Sequence, residues 1–193
     1  FELGQRIGVV DRGRLLEVDA PDRLYERPRS LYVATFLGAG TVLVGRCRDH
    51  RVALGPLTLP IPADVPHDEG DRVRVLIRPE QVALSAVQPP PDAPTLGRGQ
   101  IVDETFSGAV RRTRVRLPSL AGVRQVAPAL PFGEENVLLD VAISAHSNPP
   151  RDNPWVVLES WHILRQPTPR LLVCDEGTGL APALELARPL AEA

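Results

Sequence analysis

Proline interrupts this chain 21 times in 193 residues, against a usual share of about 5%. Each proline fixes φ and removes a backbone donor, so a helix interior does not tolerate it. That density argues against a bundle of long helices and for short strands, turns and linkers. Aromatic residues make up only 4% of the chain, so aliphatic side chains must build the core.

From Thr41 onward, short β-branched runs alternate with Gly and Pro. The pattern predicts strands at Val42–Arg48, Arg51–Leu54, Leu57–Ile61, Arg72–Ile77 and Val82–Ser85. It continues with Gly99–Phe106, Ala109–Leu117, Val123–Ala127, Asn136–Ile143 and Trp155–Leu158. Arg72–Ile77 and Arg112–Leu117 alternate strictly, which gives each one wet face. Many short strands at close spacing imply a sandwich or small barrel. Gln88 to Gly97 holds four prolines and splits the region into two parts of similar order, the pattern of a weak internal duplication.

The first 40 residues differ. Ile7, Val9 and Val10 precede an Asp-Arg-Gly-Arg turn, and Leu15, Leu16 and Val18 follow it, which predicts a hairpin with no partner sheet in this chain. Asp19 is the expected cap of a short helix over Pro21–Glu26, ended by Pro28. Ser30 is the expected cap of a second helix over Leu31–Leu37, stopped by Gly38. At the other end, Gln166-Pro167-Thr168-Pro169 links to a strand-like run and an Ala/Leu-rich, helix-like tail. The expected division is 1–40, 41–165 and 166–193.

Absences exclude several chemistries. All 22 basic residues are arginine, so no lysine Schiff base or phosphate-gripping P-loop lysine exists here. The chain lacks Met, the mark of a fragment or processed product. The longest uncharged apolar run, Val33 to Gly45, is shorter than the ~20 residues of a spanning helix. A net charge of −2 disfavours a whole-domain footprint on nucleic acid. Cys47 and Cys174 are too few for a thiolate zinc site and read as two inert thiols. His50, His67, His146 and His162 stand singly, without ligand spacing, so no metal site is expected.

Residues 1 to about 45 resemble the segment that ends the ATPase domain in ATP-binding subunits of ABC importers. That family carries an "ALxLADRIAVMxxGRIxQxGTPxELYxxPxxxFVAxFLG" stretch. The matching residues are Leu3, Arg6-Ile7, Val9-Val10, Gly13-Arg14, Ala20-Pro21, Leu24-Tyr25, Arg27-Pro28, Val33-Ala34 and Phe36-Leu37-Gly38. Ile77-Arg78-Pro79-Glu80 resembles the "IRPE" element of the β-rich regulatory domain that follows in the family, and Phe106-Ser107-Gly108 its later F-x-G turn. The resemblance reaches about residue 160. It implies a mainly β fold: an OB-like small barrel of the transport-associated (TOBE) type, preceded by a hairpin and two short helices and followed by a strand–helix tail.

The resemblance also implies a regulatory region without its own ATPase chemistry. No G-x-x-x-x-G-K-[ST], Walker B strand or signature element is present, so ATP and Mg would belong to a parent subunit. The implied partners are a second copy and membrane permease subunits. The implied place is the cytoplasmic face of the membrane, with no insertion and no nucleic acid. The junction Phe36 to Gly45 points to iron(III)- or polyamine-type importers.

The candidate sites follow. The resemblance implies that Arg78, Pro79 and Glu80 lie at a dimer or regulatory contact, with a plain strand-end turn and a surface Arg–Glu pair as the alternative. Thr41, Ser107 and Gly108 are candidates for an oxyanion-binding turn. Gly177, Thr178 and Gly179 resemble the nucleotide turn of reductase-type or stress-protein-type domains, although Asp175 and Glu176 would repel phosphate. Arg111, Arg112, Arg114 and Arg116 form the densest basic run and read as a solvated strand face or a single-strand-binding groove.

Overall fold

The computed structural model describes residues 4–147 and 150–164. The first hairpin pairs β1 (Ile7–Asp11) with β2 (Arg14–Asp19) around a left-handed Arg12-Gly13 turn, and among the described residues neither strand joins another sheet. Its buried Val9 packs instead on Leu24 and Val33, from helices α1 (Pro21–Glu26) and α2 (Leu31–Phe36). The cap of α1 departs from expectation. Ala20 is the N-cap, and Asp19 turns its carboxylate onto the N–H of Ala20 at 2.9 Å. The cap of α2 follows it, because Ser30 Oγ accepts from the N–H of Val33. Glu17 of β2 also accepts from the N–H groups of Arg29 and Ser30, which stitches the hairpin to the start of α2.

The rest is β structure. The strands are β3 (Thr41–Arg48), β4 (Arg51–Leu54), β5 (Leu57–Pro60), β6 (Arg72–Ile77), β7 (Val82–Ser85), β8 (Thr95–Arg98) and β9 (Gln100–Ser107). They continue with β10 (Val110–Leu117), β11 (Arg124–Ala127), β12 (Val137–Ser144), β13 (Trp155–Leu158) and β14 (His162–Leu164). Every strand expected from the β-branched runs is present, and β8 and β14 are additional. One sheet runs β14-β6-β3-β4-β5, with β11 also on β3; the others are β12-β10-β9 and β7-β13-β8. All pairs are antiparallel.

The two parts on either side of Gln88–Gly97 are not separate repeats. β11 pairs with β3, β14 with β6, and β13 with both β7 and β8. The Pro-rich stretch itself contributes β8, whose Leu96 is fully buried. One cluster holds Leu43, Val75, Leu96, Val115, Leu139 and Leu158, drawn from all three larger sheets. A second cluster sits on the opposite face of β3 and β6, where Val42, Leu76 and Ala127 pack under Ala34 of α2 and against Leu164. Arg72–Ile77 therefore has no uniformly wet face, since Leu76 is covered by the helical segment.

Candidate functional site

β6 delivers Arg78 to the point where the helical segment meets the β region. Arg78 is 1% exposed, and its guanidinium is spent on backbone oxygens. Nη1 donates to the carbonyls of Ala34 (2.9 Å), Gly38 (3.0 Å) and Ala39 (3.0 Å). Nη2 and Nε both donate to the carbonyl of Tyr25, at 2.9 and 3.3 Å. The Tyr25 and Ala34 carbonyls lie in the last turns of α1 and α2, which lack intrahelical donors and favour a cation, and those of Gly38 and Ala39 follow just after α2. The Arg78 guanidinium also lies 4.2 Å from the centre of the Tyr25 ring. Burial pushes the Arg78 pKa down, while neighbouring Tyr25 and Glu80 act against that shift.

Pro79 starts a 3₁₀ turn, and Gln81 accepts from the N–H of Arg78, so the segment is fixed from both sides. Glu80 points outward and accepts from the Tyr25 hydroxyl at 2.8 Å. Burial first, then this bond and the Glu80 charge, push the Tyr25 pKa up to about 12.

The expected contact at 78–80 thus divides. Arg78 and Pro79 are buried, and only Glu80 is exposed. The surface Arg–Glu pair is corrected by the same burial, because the Arg78 donors are taken by carbonyls. Glu80 opens onto a groove of about 450 Å³ lined by Tyr25, Pro79, Glu80, Ser107, Val110 and Arg112 among others. The structure so brings Pro79, Glu80 and Ser107 together. Gly108 sits beside Ser107 in the β9–β10 turn, with φ +65°. Thr41 is buried at the start of β3, paired with Ile77, and does not line this groove. Gly177, Thr178 and Gly179 lie outside the described residues. Sequence reasoning missed Tyr25 and Arg112 as groove residues, since nothing local ties them to residue 80.

Two of the four arginines in the dense basic run are paired with acids. Arg114 pairs with Asp140 at 2.8 Å and Arg116 with Glu134 at 2.8 Å, both across strands or loops distant in sequence. Two histidines expected to stand alone meet: His50 Nδ1 lies 3.1 Å from His67 Nε2. His67 Nδ1 faces the Val65 carbonyl at 2.7 Å, so that nitrogen is the donor of this bond. No group of three or more His, Cys, Asp or Glu among the described residues could hold a metal ion. Cys47 is a free thiol buried beneath the β3–β4 hairpin, and burial pushes its pKa up. A further concavity of about 550 Å³ lies between β5 and the Pro89–Pro94 strap, with Trp155 and Trp161 in its wall. No described helix is long and apolar enough to cross a membrane.

No family model matches the chain. Curated relatives do. The chain is 32% identical over 125 residues to a spermidine/putrescine import ATP-binding protein of Oleidesulfovibrio alaskensis, covering 62% of this chain and 33% of that protein. It is 31% identical over 116 residues to a glucose import ATP-binding protein of Saccharolobus solfataricus, with 60% and 31% covered. It is 30% identical over 118 residues to an Fe(3+) ions import ATP-binding protein of Haemophilus influenzae, with 60% and 32% covered. The chain spans about a third of the length of these relatives. It is related by sequence to the ATP-binding subunits of ABC importers, and the match is consistent with the C-terminal part of such a subunit.

Proposed function

We propose that this chain is the regulatory C-terminal region of an importer's ATP-binding subunit. Residues 1–40 end the ATPase domain, 41–165 form a TOBE-type, OB-like barrel, and 166–193 are an appended tail. The relatives named for polyamine and iron(III) import make those the first substrate classes to test. In this reading the region holds two copies of the subunit together beside a permease, on the cytoplasmic face of the membrane. ATP and Mg bind elsewhere in the parent subunit.

The observation that carries the reading is the Arg78 joint. Five hydrogen bonds fix the C-terminal ends of α1 and α2 to the end of β6. A displacement of the helical segment must therefore be carried into the β region, or break buried charge-assisted bonds. That is what a region coupling an ATPase domain to a regulatory contact requires: two arrangements, with the balance between them shifted from either side. The contact itself is proposed at exposed Glu80 and the Ser107–Arg112 groove, with Arg78 and Pro79 holding them from beneath.

Light scattering over a concentration series tests this. A reversible dimer is expected, weakened by Glu80→Arg. A strict monomer at all concentrations removes the dimer contact from the reading. With Mg-ATP the chain is expected to release no phosphate above the blank, and steady turnover would overturn the division of labour.

A further inference from the structure

A second charged region has no counterpart in any local run of the sequence. Directly paired residues on antiparallel strands project from the same face. Val44 of β3 is paired with Arg74 on β6 and with Arg124 on β11. Arg46, two residues further along β3, is paired with Arg72. Four arginines from three strands thus share the outer face of this sheet, beyond the part covered by α2. Arg46, Arg72 and Arg124 are exposed and line one concavity of about 270 Å³, together with Val44, Gly45 and Gly122. A groove of about 370 Å³ shares Val44, Gly45, Arg46 and Gly122 with it and runs on past Ala53 and Gly55. Among the described residues, no acidic side chain lines either space. The ion pairs Arg114–Asp140 and Arg116–Glu134 lie on a different sheet. Beside the concavity, Arg74 Nε is buried without a hydrogen-bond partner.

Arg46 and Arg72 stand directly opposite each other across β3 and β6, so their side chains leave the sheet on one face. An anion seated in the concavity would meet positive charge from more than one strand. The guanidinium fork matches carboxylate and phosphate oxygens. A carboxylate offers two coplanar oxygens, which one fork can occupy. A phosphate offers oxygens in several directions and up to two charges, which suits three arginines converging from separate strands. A nucleic-acid strand is disfavoured, because among the described residues no aromatic side chain lines the site to stack a base.

We propose that the Arg46, Arg72 and Arg124 concavity binds a phosphate group, either free or as the end of a small phosphate ester whose body lies toward Ala53 and Gly55. This site is separate from the Glu80 groove and does not depend on the importer reading.

Calorimetry on the full chain in low-chloride buffer tests it, with inorganic phosphate, phenyl phosphate and acetate as probes. Saturable binding of phosphate is expected, with acetate at least about tenfold weaker. Phenyl phosphate binding more tightly than phosphate assigns the ester form; equal affinity assigns the free ion. The double variant Arg46→Gln/Arg124→Gln should lose at least about tenfold in affinity, while Arg114→Gln should bind as the wild type does. Should the double variant fail to fold, Arg124→Lys keeps the charge and loses the fork, and a weakened affinity is still expected. No saturable heat with either phosphate probe up to about 10 mM overturns the proposal. So does acetate binding as tightly as phosphate, or undiminished binding by the arginine variants.

Discussion

Arg78 shows how one side chain can be legible as a motif and illegible as a structure. The Arg-Pro-Glu triplet closes an alternating strand, and that much was plain. Its burial depends on carbonyls supplied by residues 25, 34, 38 and 39, which local pattern cannot place beside residue 78. Replacing it strands four acceptors at once. Arg78→Ala should cost about 3 kcal/mol or more of stability, read as a lower urea midpoint. Arg78→Lys should recover only part, because a single ammonium cannot reproduce the fork. Tyr25 gives a pH signature. Its folded pKa, about 12, stands above the ordinary phenol value of 10.0, so the folded state holds this proton more tightly than the unfolded one. The resulting stabilisation is complete below pH 10 and is lost as pH rises through about 12. Denaturant melts across that window should show a steeper decline in the wild type than in Tyr25→Phe.

At the scale of elements, the β-branched runs located the strands well, because each carries two or more aliphatic residues between turn signals. Two escaped. Thr95–Arg98 is four residues long, holds one large aliphatic side chain and lies among prolines. His162–Leu164 is three residues long and is defined only by its pairing with β6. Leu96 nonetheless sits at the centre of the core, and Leu96→Ala should cost about 2–5 kcal/mol in the same denaturation experiment. Gly45 marks a close approach that sequence could not announce. A Cβ there would lie 2.6 Å from the Ala53 carbonyl oxygen and would also meet Val52. Gly45→Ala should therefore force β3 and β4 apart and destabilise the chain by about 1–3 kcal/mol, seen as a lowered melting temperature. The arginine face was hidden for a related reason. Its members are spread over β3, β6 and β11, whereas the contiguous run at 111–116 drew attention and is partly neutralised by Asp140 and Glu134.

For the molecule as a whole, the decisive feature is the interleaving of the strands. Residues before and after the Pro-rich stretch 88–97 complete one another's sheets. A chain ended at Pro91 would leave β3 without β11, β6 without β14 and β7 without β13. Such a truncation should show no cooperative unfolding transition by circular dichroism, whereas the full chain should show one. The same interleaving governs biosynthesis. As the polypeptide leaves the ribosome, β3 and β6 emerge more than seventy residues before their last partners. During that interval their hydrogen-bonding edges and the aliphatic faces of Leu43 and Val75 stay open to water and to other nascent chains. Slowing translation between residues 77 and 162 would lengthen the exposure. Chaperone demand and yield in the cell are thus set by the order in which the sheet is finished, apart from how stable the finished sheet becomes.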